Sequence, residues 1–199
     1  MSIGVAADPT LSGKGYINID GTAAVTIGTT GIESGYADLS VPQAALETAP
    51  AMLTAQTINT SGVTTHIDYT SIPPWAKRIT VTGTAITTAA SSAMLVRIGT
   101  VGGLLVTGYT STAMSGTTAV TNTTGFVMPG SSVSAASFTC DLINIDGNVW
   151  SCSITNSYSG SNAGISHGYA TLSGSLSQLS VVLTSGTFSA GTFNVRIEP

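Results

Sequence analysis

Apolar and polar residues alternate along much of the chain beyond about residue 54. The alternation is clearest at residues 78–82 and 192–197, where Ile, Val or Phe occupy every second position and hydroxyl, amide or guanidinium groups lie between them. A period of two residues is typical of a β-strand that buries one face and exposes the other. These segments are therefore predicted to be half-buried strands of antiparallel sheets.

Ten segments carry strand signals, and short runs rich in Gly, Ser or Asn separate them. They are residues 64–69, 78–86, 93–98, 104–109, 125–128, 134–143, 149–155, 167–172, 179–184 and 192–197. Many short strands at regular spacing, with no helical pattern of useful length between them, are typical of a sandwich or barrel. We therefore expect residues 54–199 to form an all-β domain, an antiparallel β-sandwich of jelly-roll-like type.

The first 53 residues follow a different pattern. Two alternating segments, residues 16–20 and 24–27, predict a small hairpin. Residues 40–43, Ser-Val-Pro-Gln, have the form of a capped helix start, and Pro50 would end that helix. Residues 1–53 are therefore expected to be an extended N-terminal anchoring arm with one short linker helix. Because this arm has few large apolar side chains, we expect a partner surface to hold it.

Charge is scarce, at 7% of residues, whereas an average soluble domain has about 25%. From Ile98 to Val195 the only formal charges are Asp141 and Asp146. A net charge of -4 disfavours binding to nucleic-acid phosphates, which requires clustered Lys and Arg. Edge strands are usually protected by charge, so subunit contacts are expected to cover the edges here and to make the protein a homo-oligomer.

Hydropathy along the chain predicts no membrane insertion. No apolar stretch reaches the roughly 20 residues that a membrane helix needs. The first residues also lack a basic region followed by an apolar core, so no secretory signal is visible. We therefore expect synthesis and assembly in a cytoplasm.

The two cysteines, Cys140 and Cys152, flank an Asp146-Gly147-Asn148 turn. A two-residue turn would place the thiols on opposite faces, and a three-residue loop would place them on one face but offset by two residues. Only a five-residue loop would set them directly opposite each other. Because a cytoplasm is reducing, free and partly buried thiols are favoured over a disulfide.

Candidate catalytic and metal-binding residues are few. His66 and Asp68 lie on one face of a predicted strand, but a metal site needs three or four ligands, and His167 is the only other histidine. No Gly-x-Ser-x-Gly elbow connects a strand to a helix, and no convincing pair of facing carboxylates is present. We therefore predict a non-enzymatic protein with no metal and no cofactor.

Aromatic side chains suggest one binding function. Tyr109, Trp150, Tyr158 and Tyr169 could stack on sugars while the many hydroxyl and amide groups hydrogen-bond to them. The alternative is that each aromatic side chain is a core or rim residue of the sandwich. The sequence leaves both interpretations open for each of the four.

Residues 72–81, here called the Pro-Trp segment, read Ile-Pro-Pro-Trp-Ala-Lys-Arg-Ile-Thr-Val. Pro73 and Pro74 favour an extended start and exclude a helix. Trp75 can cap the open end of the core, and Lys77 and Arg78 mark the point where the first full strand begins.

This segment also carries a resemblance to a known family. Residues 67–81, followed by residues 95–99 (Leu-Val-Arg-Ile-Gly), 107–109 (Thr-Gly-Tyr) and 166–176, resemble the C-terminal domain of tailed-bacteriophage fibre proteins. In that family an IPxWxKRITV segment opens the domain, a TGY turn follows, and a Gly/Ser-rich hairpin precedes the closing strand. The resemblance covers residues 64–199, about two thirds of the chain.

The family implies a virion structural protein with a trimeric β domain for host attachment. It implies other virion proteins as partners through residues 1–50 and a host surface glycan as a further partner. Long tail fibres have a repetitive shaft that is missing here, which leaves a short tail fibre or a head fibre. A capsid decoration protein is the alternative, and a polysaccharide-degrading tailspike is a third hypothesis that would need a carboxylate pair in a groove.

Overall fold

The computed structural model describes residues 3–7, 15–19, 22–28, 31–33, 51–52, 56–58, 64–89, 92–130, 136–158 and 162–199. Within these residues the backbone divides into two compact units, Met1–Thr48 and Ala49–Pro199. The helix predicted between residue 40 and Pro50 lies outside the described residues. The described part contains no helix that could cross a membrane.

The first unit is a four-stranded antiparallel sheet. Its strands are β1 (Ile3–Ala7), β2 (Gly15–Ile19), β3 (Thr22–Gly28) and β4 (Gly31–Glu33), and they lie side by side in that order. The predicted hairpin is confirmed as β2 and β3, which pair from Ile19 with Thr22 onward. Strands β1 and β4 are additions that the alternation did not predict.

The second unit contains the remaining described strands. They are β5 (Ala51–Met52), β6 (Gln56–Ile58), β7 (His66–Tyr69), β8 (Arg78–Thr88), β9 (Met94–Thr100), β10 (Gly103–Leu104), β11 (Thr110–Ser115), β12 (Thr118–Asn122), β13 (Phe126–Val127), β14 (Ala136–Asp146), β15 (Val149–Tyr158), β16 (Asn162–Thr171), β17 (Gln178–Leu183) and β18 (Phe188–Glu198). All pairings among the described residues are antiparallel.

Two sheets make up this unit. The large sheet runs in the order β12-β11-β16-β15-β14-β8-β18-β5, with β6 also paired to β18. The small sheet runs in the order β10-β9-β17-β7, with β13 also paired to β9. They pack as a sandwich, so the predicted all-β antiparallel fold is confirmed.

The core lies between the inner faces of the two sheets. Alternate positions of β8 and β18 supply fully buried side chains, as their sequence alternation predicts. Phe193 is at the centre of an aromatic group, with ring centroids 5.3 Å from Phe188 and 6.2 Å from Phe138. Strand β17 presents Leu179 and Val181 to the same core from the small sheet.

Two strand predictions need correction. Residues 104–109 were predicted as one strand, but β10 ends at Leu104 and the chain then turns toward β11, with a positive φ of 90° at Gly108. The hairpin of β11 and β12 was not predicted, because its small Ser, Thr and Ala residues carry little hydrophobic alternation. The first difference arises at an apolar segment that a glycine turn interrupts, and the second where apolar content is low.

The cysteine hairpin has the register that places both thiols on the inner face. Cys140 pairs with Ile154 and Cys152 pairs with Leu142, so the cysteines are offset by two residues. This is the register expected of a three-residue loop, although the structure reaches it with a two-residue turn and a bulge between Asn144 and Asp146. Both thiols are free and buried, with their Sγ atoms 3.5 Å apart.

Candidate functional surface on the large sheet

The Pro-Trp segment leads the chain into β8. Its first residue, Ile72, donates its amide N–H to the carbonyl of Ser177 at 2.9 Å, and Ala76 closes a turn by donating to the carbonyl of Pro73 at 3.0 Å. Pro73 is half-buried and Pro74 is exposed within that turn. Trp75 is half-buried and packs against the core, which fits the capping role predicted for it.

Lys77 joins the segment to the large sheet. Its amide N–H donates to the carbonyl of Glu198 at 2.9 Å, and its carbonyl accepts from the amide of Asn144 at 2.8 Å. The ammonium group donates to Oδ1 of Asn144 at 3.2 Å. Lys77 is therefore held by the two strands that flank β8, namely β18 and β14.

Four charged side chains on the outer face of β14, β8 and β18 form what we call the charged seam: Asp141, Arg78, Glu198 and Arg196. Arg78 Nη2 lies 3.0 Å from Asp141 Oδ1, and Arg196 Nε lies 2.9 Å from Glu198 Oε1. Arg78 Nε is also 3.9 Å from Glu198 Oε2, which links the two pairs. The hydrogen bond to Asp141, and then its charge, raise the pKa of the Arg78 guanidinium above its ordinary value.

The charged seam is a balanced structure. Two guanidinium groups face two carboxylates, and Thr80 Oγ1 also donates to Asp141 Oδ1 at 2.7 Å. Both carboxylates are therefore occupied as ion-pair acceptors. This arrangement stabilises strand register and offers neither a general acid nor a free base for catalysis.

Hydroxyl groups dominate the rest of the outer face. Their positions on β11, β15, β14 and β8 share one face by the alternation of each strand: Thr110, Thr112, Ser151, Ser153, Thr155, Thr139, Thr80 and Thr82. A shallow groove of about 590 Å³ crosses β8, β14 and β15 among such residues. Hydroxyl groups both donate and accept hydrogen bonds, so this face suits neutral polyhydroxyl ligands rather than ions.

Two of the four proposed sugar contacts are core residues. Tyr109 and Trp150 are only 2% and 3% exposed, so neither ring offers a face to a ligand and the sugar-contact prediction is wrong for both. The physical reason for Trp150 is its strand phase, which it shares with the buried Cys152 and Ile154. Tyr169 is 52% exposed on the outer face, whereas the side chain of Tyr158 lies outside what the structure describes.

Tyr109 anchors the chain between the two sheets. Its hydroxyl accepts from the amide of Ile98 at 2.9 Å and donates toward the carbonyls of Leu105 at 3.0 Å and Ile98 at 3.2 Å. Its ring meets Phe126 edge-on, with centroids 4.9 Å apart. Burial raises the pKa of Tyr109 to about 12.

The described residues contain no cluster that could hold a metal ion. His66 Nε2 lies 3.2 Å from Asp68 Oδ2 on edge strand β7, whereas His167 belongs to β16 in the other sheet. Ser166 has Gly-x-Ser-x-Gly spacing, but it is 2% exposed in the middle of β16 and not at a strand-to-helix turn. These residues do not form a catalytic arrangement.

The sequence predicted one cation of the charged seam, Arg78, but not its partners. Lys77 and Arg78 were placed where the first full strand begins, and β8 does begin at Arg78. Asp141 and Glu198 were missed as partners, although both lie in the polar phase of their strands. Strand phase is the signal that could have placed them on the same face as Arg78.

Comparison with protein-family models, curated proteins and solved structures finds no match to this chain. The functional assignment therefore depends on the fold and on the chemistry of its surface.

Proposed function

We propose that this protein is a non-enzymatic structural component of a tailed-phage particle, of the short tail-fibre or head-fibre type. Its β domain is displayed as a trimer and mediates attachment to the host. The observation that carries the proposal is the outer face of the large sheet, which is broad, rich in hydroxyl groups and without a free acid–base pair among the described residues. The family resemblance of the Pro-Trp segment supports the same assignment.

The hydroxyl face suits weak, repeated attachment to host glycans. Six side chains line its groove with hydroxyl groups: Thr82, Thr84, Ser137, Thr139, Thr155 and Ser157. The exposed ring of Tyr169, on the same face of the sheet, offers a stacking surface. Single contacts of this kind are weak, so display of several copies on one particle would supply the avidity.

The alternative is a capsid decoration protein. Met1–Thr48, which forms a compact unit of its own, would in that case bind capsid subunits. The protein would then decorate and stabilise the head. Imaging of labelled protein on intact particles separates the two locations, because a head fibre or decoration protein labels the capsid and a tail fibre labels the tail.

Competition for the host surface tests the attachment role. Purified full-length protein, incubated with host cells before phage addition, is expected to reduce adsorption of the phage. Tyr169→Ala should weaken this competition, whereas Val101→Ala, which shortens a side chain that is 94% exposed at another turn, should not. Adsorption that is unchanged by excess wild-type protein would contradict the attachment role.

Two further measurements test the rest of the proposal. Native sedimentation of the purified chain is expected to give a trimer or a multiple of a trimer, and a stable monomer would count against a fibre. A polysaccharide-degrading tailspike predicts that the pure protein releases soluble fragments from capsule or lipopolysaccharide. We expect no such release, and its detection would overturn the non-enzymatic assignment.

A further inference from the structure

Strand β12 lies at one end of the large sheet with an open backbone edge. In the described part of the chain, β11 is the strand that pairs with it, and no strand pairs with its other side. Residues 118–121 are all exposed, and their pairing with β11 continues without a bulge. An open edge of this kind is a template for another strand.

The devices that usually protect an edge are missing from this strand. β12 reads Thr-Ala-Val-Thr-Asn, with no charged residue and no proline. Natural proteins use charge, proline, bulges or a covering segment to prevent pairing between edges. The absence of charge, proline and a bulge from β12, with no covering segment among the described residues, leaves its backbone and side chains compatible with a strand partner.

The pairing pattern indicates which backbone groups point outward. Tyr109 donates its amide to the carbonyl of Thr123, so the odd-numbered residues before and along β11 face β12. The even-numbered residues of β12, including Val120, are opposite them, since Ala113 pairs with Val120. Alternation then directs the amide and carbonyl groups of Ala119 and Thr121 away from the sheet.

An exposed apolar side chain lies on the edge strand itself. Val120 is 51% exposed and has the strand phase of its cross-strand partner Ala113. A partner strand paired along β12 would place a side chain directly beside Val120, and would therefore remove apolar surface from water as well as satisfying backbone groups.

The geometry points to a second copy of this chain as the partner, paired β12 to β12 in antiparallel orientation. A two-fold axis at Val120 sets Ala119 of one copy against Thr121 of the other, which allows four backbone hydrogen bonds. A charged residue at position 120 would lie directly opposite its own copy across this axis, and like charges in that arrangement are destabilising. Val120 and the rest of β12 are uncharged, so this pairing carries no such repulsion.

This inference goes beyond the proposed function and does not depend on it. Pairing through a two-fold axis doubles whatever assembly the rest of the chain forms. A trimer would become a hexamer, and a monomer would become a dimer. The trimer hypothesis and the edge-pairing hypothesis can therefore be tested, and refuted, independently.

Two variants with a matched control test the edge by sedimentation of the full-length protein. Val120→Lys sets two ammonium groups opposite each other across the axis. Thr121→Pro removes an outward N–H that bonds to no other backbone group in the described part of the chain, at an edge position where proline is tolerated. Thr155→Lys is the control, because it adds the same charge at an exposed position of the interior strand β15.

We expect an even-numbered wild-type assembly, a halved sedimenting mass for Val120→Lys and Thr121→Pro, and an unchanged mass for Thr155→Lys. Far-ultraviolet circular dichroism should show wild-type strand content for all three variants. Equal masses for the wild type and both edge variants would overturn the edge pairing. An odd-numbered wild-type assembly would do the same, and a trimer in that case would leave the proposed function intact.

Discussion

The two ends of the large sheet differ in how their strands are held. At one end, β14, β8 and β18 carry the charged seam, and the amide and carbonyl of Lys77 extend the backbone pairing on both sides of β8. At the other end, β11 and β12 carry no charge, and β12 is open along one side among the described strands. The same sheet thus has a charged end, where β14, β8 and β18 carry ion pairs and β5 and β6 pair with β18, and a neutral end, where β12 is open along one side among the described strands.

This difference shows how a charge-poor chain can control its own assembly. Only 7% of its residues are charged, and four of them converge on the charged seam. Charge protects a sheet edge from pairing with other chains, so an end without charge stays competent for contact. The few charged residues therefore stabilise strand register within the chain at one end of the sheet. Their absence from the other end leaves β12 able to associate with another strand.

The largest expected effect is in the core behind the charged end. Phe193→Ala removes a fully buried ring that contacts Phe188 and Phe138, and it should lower the free energy of unfolding by about 3–5 kcal/mol. Val120→Ala, at the neutral end and 51% exposed, is the contrast and should cost much less in dilute protein. Equal losses in urea unfolding would contradict this difference in packing.

High pH should remove the contribution that Tyr109 makes to the free energy of unfolding. Because the pKa of Tyr109 is raised to about 12 in the folded protein, the unfolded chain loses its phenolic proton first as pH increases. This contribution to stability is intact below about pH 10 and disappears toward pH 12, and a shift of about two units corresponds to about 3 kcal/mol.

Unfolding measured between pH 8 and pH 12 should therefore show a decline that Tyr109→Phe makes shallower. Tyr169→Phe is the matched control, because it makes the same substitution at a side chain that is 52% exposed. The raised pKa of the buried Cys152 thiol adds a decline in the same direction, and Cys152→Ser should remove that part. Identical profiles for the wild type and Tyr109→Phe would refute the assignment to Tyr109.

Gly168 allows the close approach between β16 and the neutral ribbon of β11 and β12. An added Cβ would collide with the carbonyl oxygen of Thr110 and come 3.0 Å from Cα of Ser111, both backbone atoms that cannot rotate away. Gly168→Ala should therefore lower the free energy of unfolding by about 1–3 kcal/mol. Thermal unfolding measures this loss. Gly174→Ala is the control and should leave stability nearly unchanged, because an added Cβ would lie 3.8 Å from its nearest neighbour, Thr100 Cγ2.

The smallest expected effect is at the charged seam itself. Asp141→Asn weakens the acceptor shared by Arg78 and Thr80, and it should cost about 0.5–1 kcal/mol at low salt. The loss should shrink at high salt because the pair is partly exposed and therefore screened. Asp146→Asn, at an exposed turn, is the control, and a salt-independent loss for Asp141→Asn would argue against an ionic seam.

The fold was largely predictable because strand alternation is local. The alternation of residues 78–82 predicts which side chains of β8 are buried, and this prediction requires no knowledge of the neighbouring strands. The β11–β12 hairpin was not predictable in this way, because small residues give little apolar periodicity. The thiol register was left open because it depends on a bulge near Asn144, which no local pattern reveals.

The candidate surface was less predictable, since it depends on sheet order. Arg78 meets Asp141 across 63 positions of sequence, and nothing local pairs β8 with β14. Residue type alone could not decide whether Tyr109 and Trp150 were sugar contacts or core residues. The phase of Trp150 with Cys152 and Ile154 was a usable signal, whereas burial of Tyr109 follows from the path of the chain between two sheets.

Amide hydrogen exchange at Ala119 and Thr121, measured as a function of protein concentration, tests the contrast between the two ends most directly. The account predicts that both amides are protected in concentrated protein and exchange freely on dilution. The amide of Lys77, bonded to Glu198 within the chain, should be protected at every concentration. Rapid exchange of Ala119 and Thr121 at all concentrations would contradict the account.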